Sequence, residues 1–287
     1  MKDGSSRSPL LIAFITIFLD LLGFGIIIPI APFFAESFGA TPTLITMLGA
    51  SYSLMQFFFA PFWGRLSDRV GRRPIILISV LISAIGHFIF AMAPSLIWLF
   101  GARMLAGFGN ANLGTAKALI ADSTTMENRA KGMGMIGAAF GLGFIFGPAI
   151  GAALGQISPT APLLAAGVLS LGNFCLAFFL LPETLSEKSV PSERGILPFR
   201  QYANAAQYHN AVPILWISLI YTLGFALMEQ ASALYIEHKW VTDLTLTSDE
   251  RIGAASKLTG MFLVSVGIAA AIVQGGLIGR LSRRFGE

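Results

Sequence analysis

Gly64-Arg65-Leu66-Ser67-Asp68-Arg69-Val70-Gly71-Arg72-Arg73 lies between two long apolar runs, and it returns 215 residues later as Gly279-Arg280-Leu281-Ser282-Arg283-Arg284-Phe285-Gly286-Glu287. Six of the nine aligned positions are identical. A repeated basic segment in an otherwise apolar chain marks a membrane protein built by internal duplication. The second copy has barely turned back toward the membrane when the sequence stops, so the reading carries an expectation that the natural chain continues past Glu287.

Composition agrees. The chain is 55% hydrophobic and 12% charged, with a mean hydropathy of +0.73, against roughly 25% charged residues in a soluble domain. Apolar runs of span length recur along the sequence, which predicts a polytopic, all-α membrane protein. The single cysteine, Cys175, excludes an intrachain disulfide. The first apolar run is too long for a cleaved signal peptide and carries Asp20, so it reads as a retained span. Net charge is +4, but the basic residues sit in short segments between spans, which is no nucleic-acid footprint. No G-x-x-x-x-G-K-[ST] loop appears, so nothing supports nucleotide-driven work or another cofactor.

Eight helices are predicted at about 10–34, 42–63, 74–93, 95–121, 132–155, 161–182, 213–235 and 253–279, taking ~20 apolar residues per span. Pro42, Pro74, Pro94, Pro162 and Pro213 stand near helix starts, where a missing N–H is harmless. With a cytoplasmic N-terminus, fourteen Lys and Arg fall on the inner side and three on the outer. The positive-inside rule therefore places the N-terminus in the cytoplasm of a plasma (inner) membrane. The expected organisation is a six-helix bundle over 1–182, a polar central loop over 183–212, and two further helices over 213–287.

Several residues are too polar for their place. Asp20 lies ten residues into the first span; an Asp at mid-bilayer costs about 2.5–3.5 kcal/mol and needs water, a partner or a proton. It reads as a proton carrier, or else as a structural hydrogen bond between helices. Arg103 cannot lose its charge and reads as a fixed cation near an acid, or as a static anchor. Glu229, in the outer part of the seventh span, is a second candidate for protonation or simply a wetted residue. Lys117 is explained by snorkelling and His87 by packing. Tyr52, Gln56, Asn110, Asn112, Tyr221 and Gln230 are candidates to line a substrate cavity. In the basic segment Gly64 and Gly71 permit tight turns and close helix approach, while Arg69, Arg72 and Arg73 face headgroups or an acid such as Asp122. A plain topogenic cluster would explain those arginines, but not Asp68 or the glycines. Gly143, Gly147, Gly151 and Gly155 form one small-residue stripe with a Pro148 kink, suited to close helix packing.

Taken together, six spans, a central loop and a repeated basic segment after spans two and eight resemble the major facilitator superfamily, whose signature G-x-L-x-D-R-x-G-R-R matches Gly64–Arg73. Leu22-Gly23-Phe24-Gly25-Ile26-Ile27-Ile28-Pro29-Ile30-Ala31-Pro32 is similar to the first-span motif of bacterial drug:proton antiporters. Leu99 with Arg103, Gly107, Gly109 and Ala111 resembles their fourth-span motif. Gly143-x-x-x-Gly147-Pro148-x-x-Gly151-Ala152 resembles their fifth-span antiporter motif. The resemblance implies a twelve-span fold of two pseudo-symmetric halves, rocking about a midplane site, and no enzymatic activity. It implies proton-coupled export of drug-like solutes, with protons, a small-molecule substrate and the bilayer as partners. In the family, Asp68 meets the positive end of a helix in the other half. Tetracycline exporters carry an acid seventeen positions before the fourth-span Arg; Gly86 stands there, which counts against tetracycline itself. A sugar or metabolite transporter on the same fold, and a fragment that transports nothing, stay open as alternatives.

Overall fold

The computed structural model describes residues 7–125, 128–185, 211–241 and 247–272. Within them the chain is helical throughout: α1 (Arg7–Ile27), α2 (Ala31–Glu36), α3 (Pro42–Val70), α4 (Arg72–Ala91), α5 (Leu96–Gly109), a 3-10 turn (Asn110–Asn112), α6 (Leu113–Asp122), α7 (Arg129–Gly155), α8 (Ala161–Leu180), α9 (Ala211–Trp240) and α10 (Ser248–Ile272). Among the described residues, six helices are long and apolar enough to cross a membrane: α1, α3, α4, α7, α8 and α10. The second copy of the basic segment lies outside the described residues.

Three expected boundaries move, each for a local reason. The first span stops at Ile27 and resumes as the short α2. Pro29 has no N–H to donate and disfavours helix at the residue before it. The fourth span is two helices joined by the 3-10 turn at Asn110–Asn112, where both Asn side chains turn into the protein; such mid-helix turns mark hinges or strain. The expected loop at Gly64–Arg73 is the largest correction. Helix α3 runs on to Val70, and Gly71 alone separates it from α4. Gly71 sits at φ +125°, a region that only glycine enters without strain. The end of α3 is held by packing: Trp63 is buried against Phe108, and its Nε1 donates to the Phe108 carbonyl at 2.7 Å. Helix α3 begins conventionally, with Pro42 in its first turn and the Thr41 hydroxyl capping the Leu44 N–H.

Helix α7 packs between α1 and α10, and α4 packs between α5 and α8. One buried cluster closes the end of the molecule away from the basic segment. It joins Ile30, Phe33 and Phe34 to Phe90, Leu99 and Leu163, and to Ala233, Val241, Ile252 and Ala255 from α9 and α10. A second cluster, nearer the basic segment, gathers Ile17, Ile76, Val80, Leu119, Ile120, Ile136 and Leu181. Large apolar side chains also face outward, among them Leu54, Phe57, Phe58, Trp98 and Phe179. On a water-soluble surface such a band would be an aggregation site; in a bilayer it is the ordinary outer face.

Since lipid is as apolar as leucine, burial between helices gains little hydrophobic energy there, and close packing must carry association. The glycine stripe of α7 does this against α1. A Cβ built on Gly147 would lie 2.7 Å from the Gly25 Cα, and one on Gly151 would lie 2.2 Å from the Ile26 carbonyl oxygen. Gly143 likewise abuts Leu21. On another face of α7, Pro148 and Ala152 receive Gly260 of α10. Pro148 lies inside α7 without ending it.

Candidate functional site

Two polar assemblies stand out, one inside the helix bundle and one at the basic end. The inner assembly is built on α1, α3, α4 and the 3-10 turn. Asp20 projects from the middle of α1. An amide nitrogen can donate to a carboxylate and an amide oxygen cannot. That places Asn110 Nδ2 at 3.0 and 3.1 Å from the two Asp20 oxygens, with Asn110 Oδ1 accepting from the Tyr52 hydroxyl at 3.0 Å. Asn112 also reaches Asp20, and its Nδ2 donates to Ser79 Oγ at 2.6 Å. Gln56 donates from one side chain to the Tyr52 hydroxyl and to the Asn110 carbonyl, both at 3.2 Å. In this orientation Asn110 Nδ2 also faces Ser83 Oγ at 3.0 Å, so the one amide ties Asp20 to α3 and α4.

Arg103 is buried on α5 with only 8% of its surface exposed. It makes no ion pair with Asp20. Its guanidinium instead lies over the Phe90 and Tyr52 rings, at 5.0 and 5.8 Å, and Nε has no protein hydrogen-bond partner. Glu229, on α9, is its electrostatic counterpart. Tyr52 is thus the shared neighbour: its hydroxyl faces the Asp20 network and its ring faces Arg103, while Phe24 stacks on it at 5.1 Å.

The expected cavity residues Tyr52, Gln56, Asn110 and Asn112 come together, but as a bonded network rather than as the wall of a void. The side chains of Tyr221 and Gln230 lie outside the described residues. A separate open recess of about 390 Å³ lies between the end of α7 and the start of α10, lined by Gln156, Ser158, Glu250 and Lys257 among others; Tyr52, Gln56, Asn110 and Asn112 do not line it. Among the described residues no group of three or more His, Cys, Asp or Glu could hold a metal ion.

The basic-end assembly centres on Arg72, which is buried although its neighbours are charged. Its Nε donates to Asp122 at 3.0 Å and its Nη1 donates to Ser67 Oγ at 2.7 Å, with Asp68 as a further ion-pair partner. Arg73 donates to the Phe178 carbonyl at 2.6 Å, and Arg69 is exposed. Gly64 does not have the role expected of it. It is helical, and a Cβ there would meet open space. Gly71 is both the turn and the close approach, because a Cβ there would lie 2.2 Å from a Glu183 carboxylate oxygen.

Glu183 is the residue sequence reasoning passed over. Its carboxylate accepts from the Arg72 and Arg73 N–H groups at 2.9 and 3.2 Å, and from Thr184 and Leu185 at 2.9 and 3.0 Å. Partial burial works against the charged form, but these four backbone donors outweigh it and hold the carboxyl below its usual range. A signal existed: Gly71 has no side chain with which to cap α4, so the first N–H groups needed a partner from elsewhere. Ser79 and Ser83 were missed as well. With His87 they recur every four residues on one buried face of α4, where His87 Nδ1 meets Ser170 Oγ at 3.1 Å and ties α4 to α8. That spacing was legible.

Because the Glu183 carboxyl is more acidic folded than unfolded, its contribution is present above the unfolded value and is lost as pH falls through the folded one. Glu183→Gln should remove this acid-side loss and about 0.5–1 kcal/mol of stability, after allowing for exposure. Thermal unfolding of both proteins from pH 7 down to about pH 3 reads it; parallel curves would refute the capping account.

A bundle of apolar, outward-greasy helices holding a half-buried acid and a buried arginine defines a polytopic membrane transporter. The family profile of the Major Facilitator Superfamily matches residues 13–287, and the chain belongs to that superfamily. It is similar to the class B tetracycline resistance protein of Escherichia coli, 32% identical over 280 residues that cover 96% of this chain and 67% of that protein. Similarity to the class C protein of Escherichia coli is 34% over 287 residues, 98% of this chain and 69% of that one. Multidrug resistance protein 1 of Bacillus subtilis is 29% identical, with 94% of this chain and 66% of that protein covered. The chain thus spans about two thirds of the length of these relatives. Among solved structures the fold is similar to the human organic anion transporter MFSD10 (TETRAN), with TM-score 0.71, 24% identity, and 96% and 72% of the two chains covered. It is also similar to an inward-facing, unoccupied bacterial homolog of the human lysosomal transporter Spinster, with TM-score 0.72, 19% identity, and 99% and 65% covered.

Proposed function

We propose that this chain serves proton-driven export of amphipathic, drug-like solutes by alternating access, with a cytoplasmic N-terminus. Residues 1–182 would form one rocking bundle, 183–212 the linker, and 213 onward the second bundle. The observation that carries the reading is Asp20, an acid held in mid-span by the Asn110 and Asn112 amides. Arg103 and Glu229 would add a second, charge-compensated pair on the way through. Gly143, Gly147, Pro148 and Gly151 would keep α1 and α7 moving as one body. At the basic end, Asp68, Arg72 and Asp122 would close the inner face.

Gly86 argues for solutes other than tetracycline. A Cβ there would lie 3.0 Å from the Ala106 backbone nitrogen and 3.2 Å from the Ala102 carbonyl oxygen, so an acidic side chain has no room without parting α4 from α5. The test is flux in proteoliposomes holding the full-length protein, with an imposed pH gradient and a lipophilic fluorescent cation, tetracycline and glucose as alternative solutes. Gradient-dependent movement of the cation, with little of the other two, is expected. Movement that ignores the gradient, or favours glucose, would overturn the proposal.

A further inference from the structure

The end of the molecule away from the basic segment carries charges in unfavourable places. Glu36 is the last residue of α2, and Glu237 lies in the last turn of the thirty-residue α9. A helix C-terminus carries partial negative charge, so it disfavours a carboxylate. Arg251 lies in the first turn of α10, the positive end. Glu237 stands against both of the others. The Glu36 and Glu237 carboxyls stand close enough to act on one another, and two ionised carboxylates repel where one shared proton would join them. Arg251 Nη2 stands 3.7 Å from Glu237 Oε1, and the Glu237 side chain is 17% exposed. They sit beside the apolar closure in which Phe33 and Phe34 meet Ala233, Val241 and Ile252, so the contact joins the first part of the chain to the last.

We propose that Glu36, Glu237 and Arg251 form a pH-sensitive latch that holds the outer end of the transporter shut while one proton is shared between the two carboxyls. The proposal rests on the alternating-access reading, which makes this end external. With a shared proton, two acids and one arginine sum to zero charge and the pair attracts. Without it a net negative charge remains at two negative helix ends, and α2 is pushed from α9. Burial first, then Glu36, raise Glu237 to about 7, against lowering by Arg251. A group raised in the closed form stabilises that form below its open-state value and loses the effect as pH rises through the closed-state one. The window therefore runs from about pH 4.5 to about pH 7 or a little above. On α10, Glu250 is exposed and accepts from the Thr247 N–H and hydroxyl at 2.8 Å, and Lys257 is exposed. Helix α3, which also packs on α9, carries Arg65, Asp68 and Arg69 at its far end. On α9 itself, His238 is exposed and Lys239 lies over the Tyr235 ring at 5.6 Å.

Spin labels on Ser37→Cys and Lys239→Cys, in a Cys175→Ser background of the full-length protein, report the spacing of α2 and α9 by pulsed dipolar spectroscopy. The ratio of short to long distances should fall at least about tenfold between pH 5.5 and pH 8.5, as one shifted pKa unit allows. Glu36→Gln and Glu237→Gln should each flatten the titration with the short distance dominant. Asp20→Asn should leave it intact, which separates the latch from proton coupling deeper in the protein. An unchanging ratio in the parent, an unaltered titration in Glu237→Gln, or loss of the titration in Asp20→Asn would each overturn the latch.

Discussion

Asp20→Asn should abolish proton-driven efflux while the protein still folds, inserts and binds solute. The substitution keeps the side chain's size. An Asn oxygen can still accept from Asn110 Nδ2, so the bonds to Tyr52, Gln56 and Ser83 have no reason to break. What disappears is the change of charge. Without it the network no longer distinguishes a proton-loaded from an empty state, and a gradient has no differential grip on the two conformations. Gradient-driven accumulation should fall by about a hundredfold or more, to the passive leak. Solute exchange without a gradient should persist, because binding and rocking do not require the proton. Reconstituted vesicles measure both. Full uphill efflux by the Asn variant would remove Asp20 from the mechanism; loss of exchange as well would make it a structural residue.

The second large effect concerns packing. Gly151→Val should destabilise the protein by about 3 kcal/mol or more, a large share of a stability that is typically 5–15 kcal/mol. An added Cβ would meet the Ile26 carbonyl oxygen at 2.2 Å, and backbone cannot rotate aside as a side chain can. Helices α1 and α7 would have to part, carrying Asp20 away from Asn110. Gly134→Val on the same helix is the control, since a Cβ there meets open space. Thermal unfolding in detergent should put the Gly151 variant more than 10 °C below the parent and leave the Gly134 variant close to it. Similar curves for the two would mean that α1 and α7 are not held by this seam.

Much of the fold was readable because bilayer physics writes it plainly: span length, proline position and charge between spans set the helix order. The glycine stripe of α7 announced the contact its geometry shows. The basic segment misled because charge was taken for loop. Arginine and serine are tolerable helix formers, and Trp63 anchors α3 well beyond its last apolar turn. At the site, Asp20 and Arg103 were conspicuous by cost alone, but their lack of a direct pair was not. That depends on where Tyr52 and Asn110 fall in three dimensions. Glu183 was hidden because its partners are backbone groups, which no residue letter displays.

The continuation of α3 past the apolar stretch has a mechanical consequence. Twenty-nine residues make a rod of about 43 Å, some 13 Å longer than the hydrocarbon layer is thick. Pro61 interrupts its hydrogen bonding nine residues before Val70, and a proline is where a helix bends. The arm from Pro61 to Val70 is about 14 Å. A swing of about 15° there would carry the tip through roughly 3.5 Å, farther than the 2.7 Å from Arg72 on α4 to Ser67 on this arm. Helix α3 would then work as a crank: a few degrees of tilt at Pro61 would make or break the contact of Asp68 with Arg72.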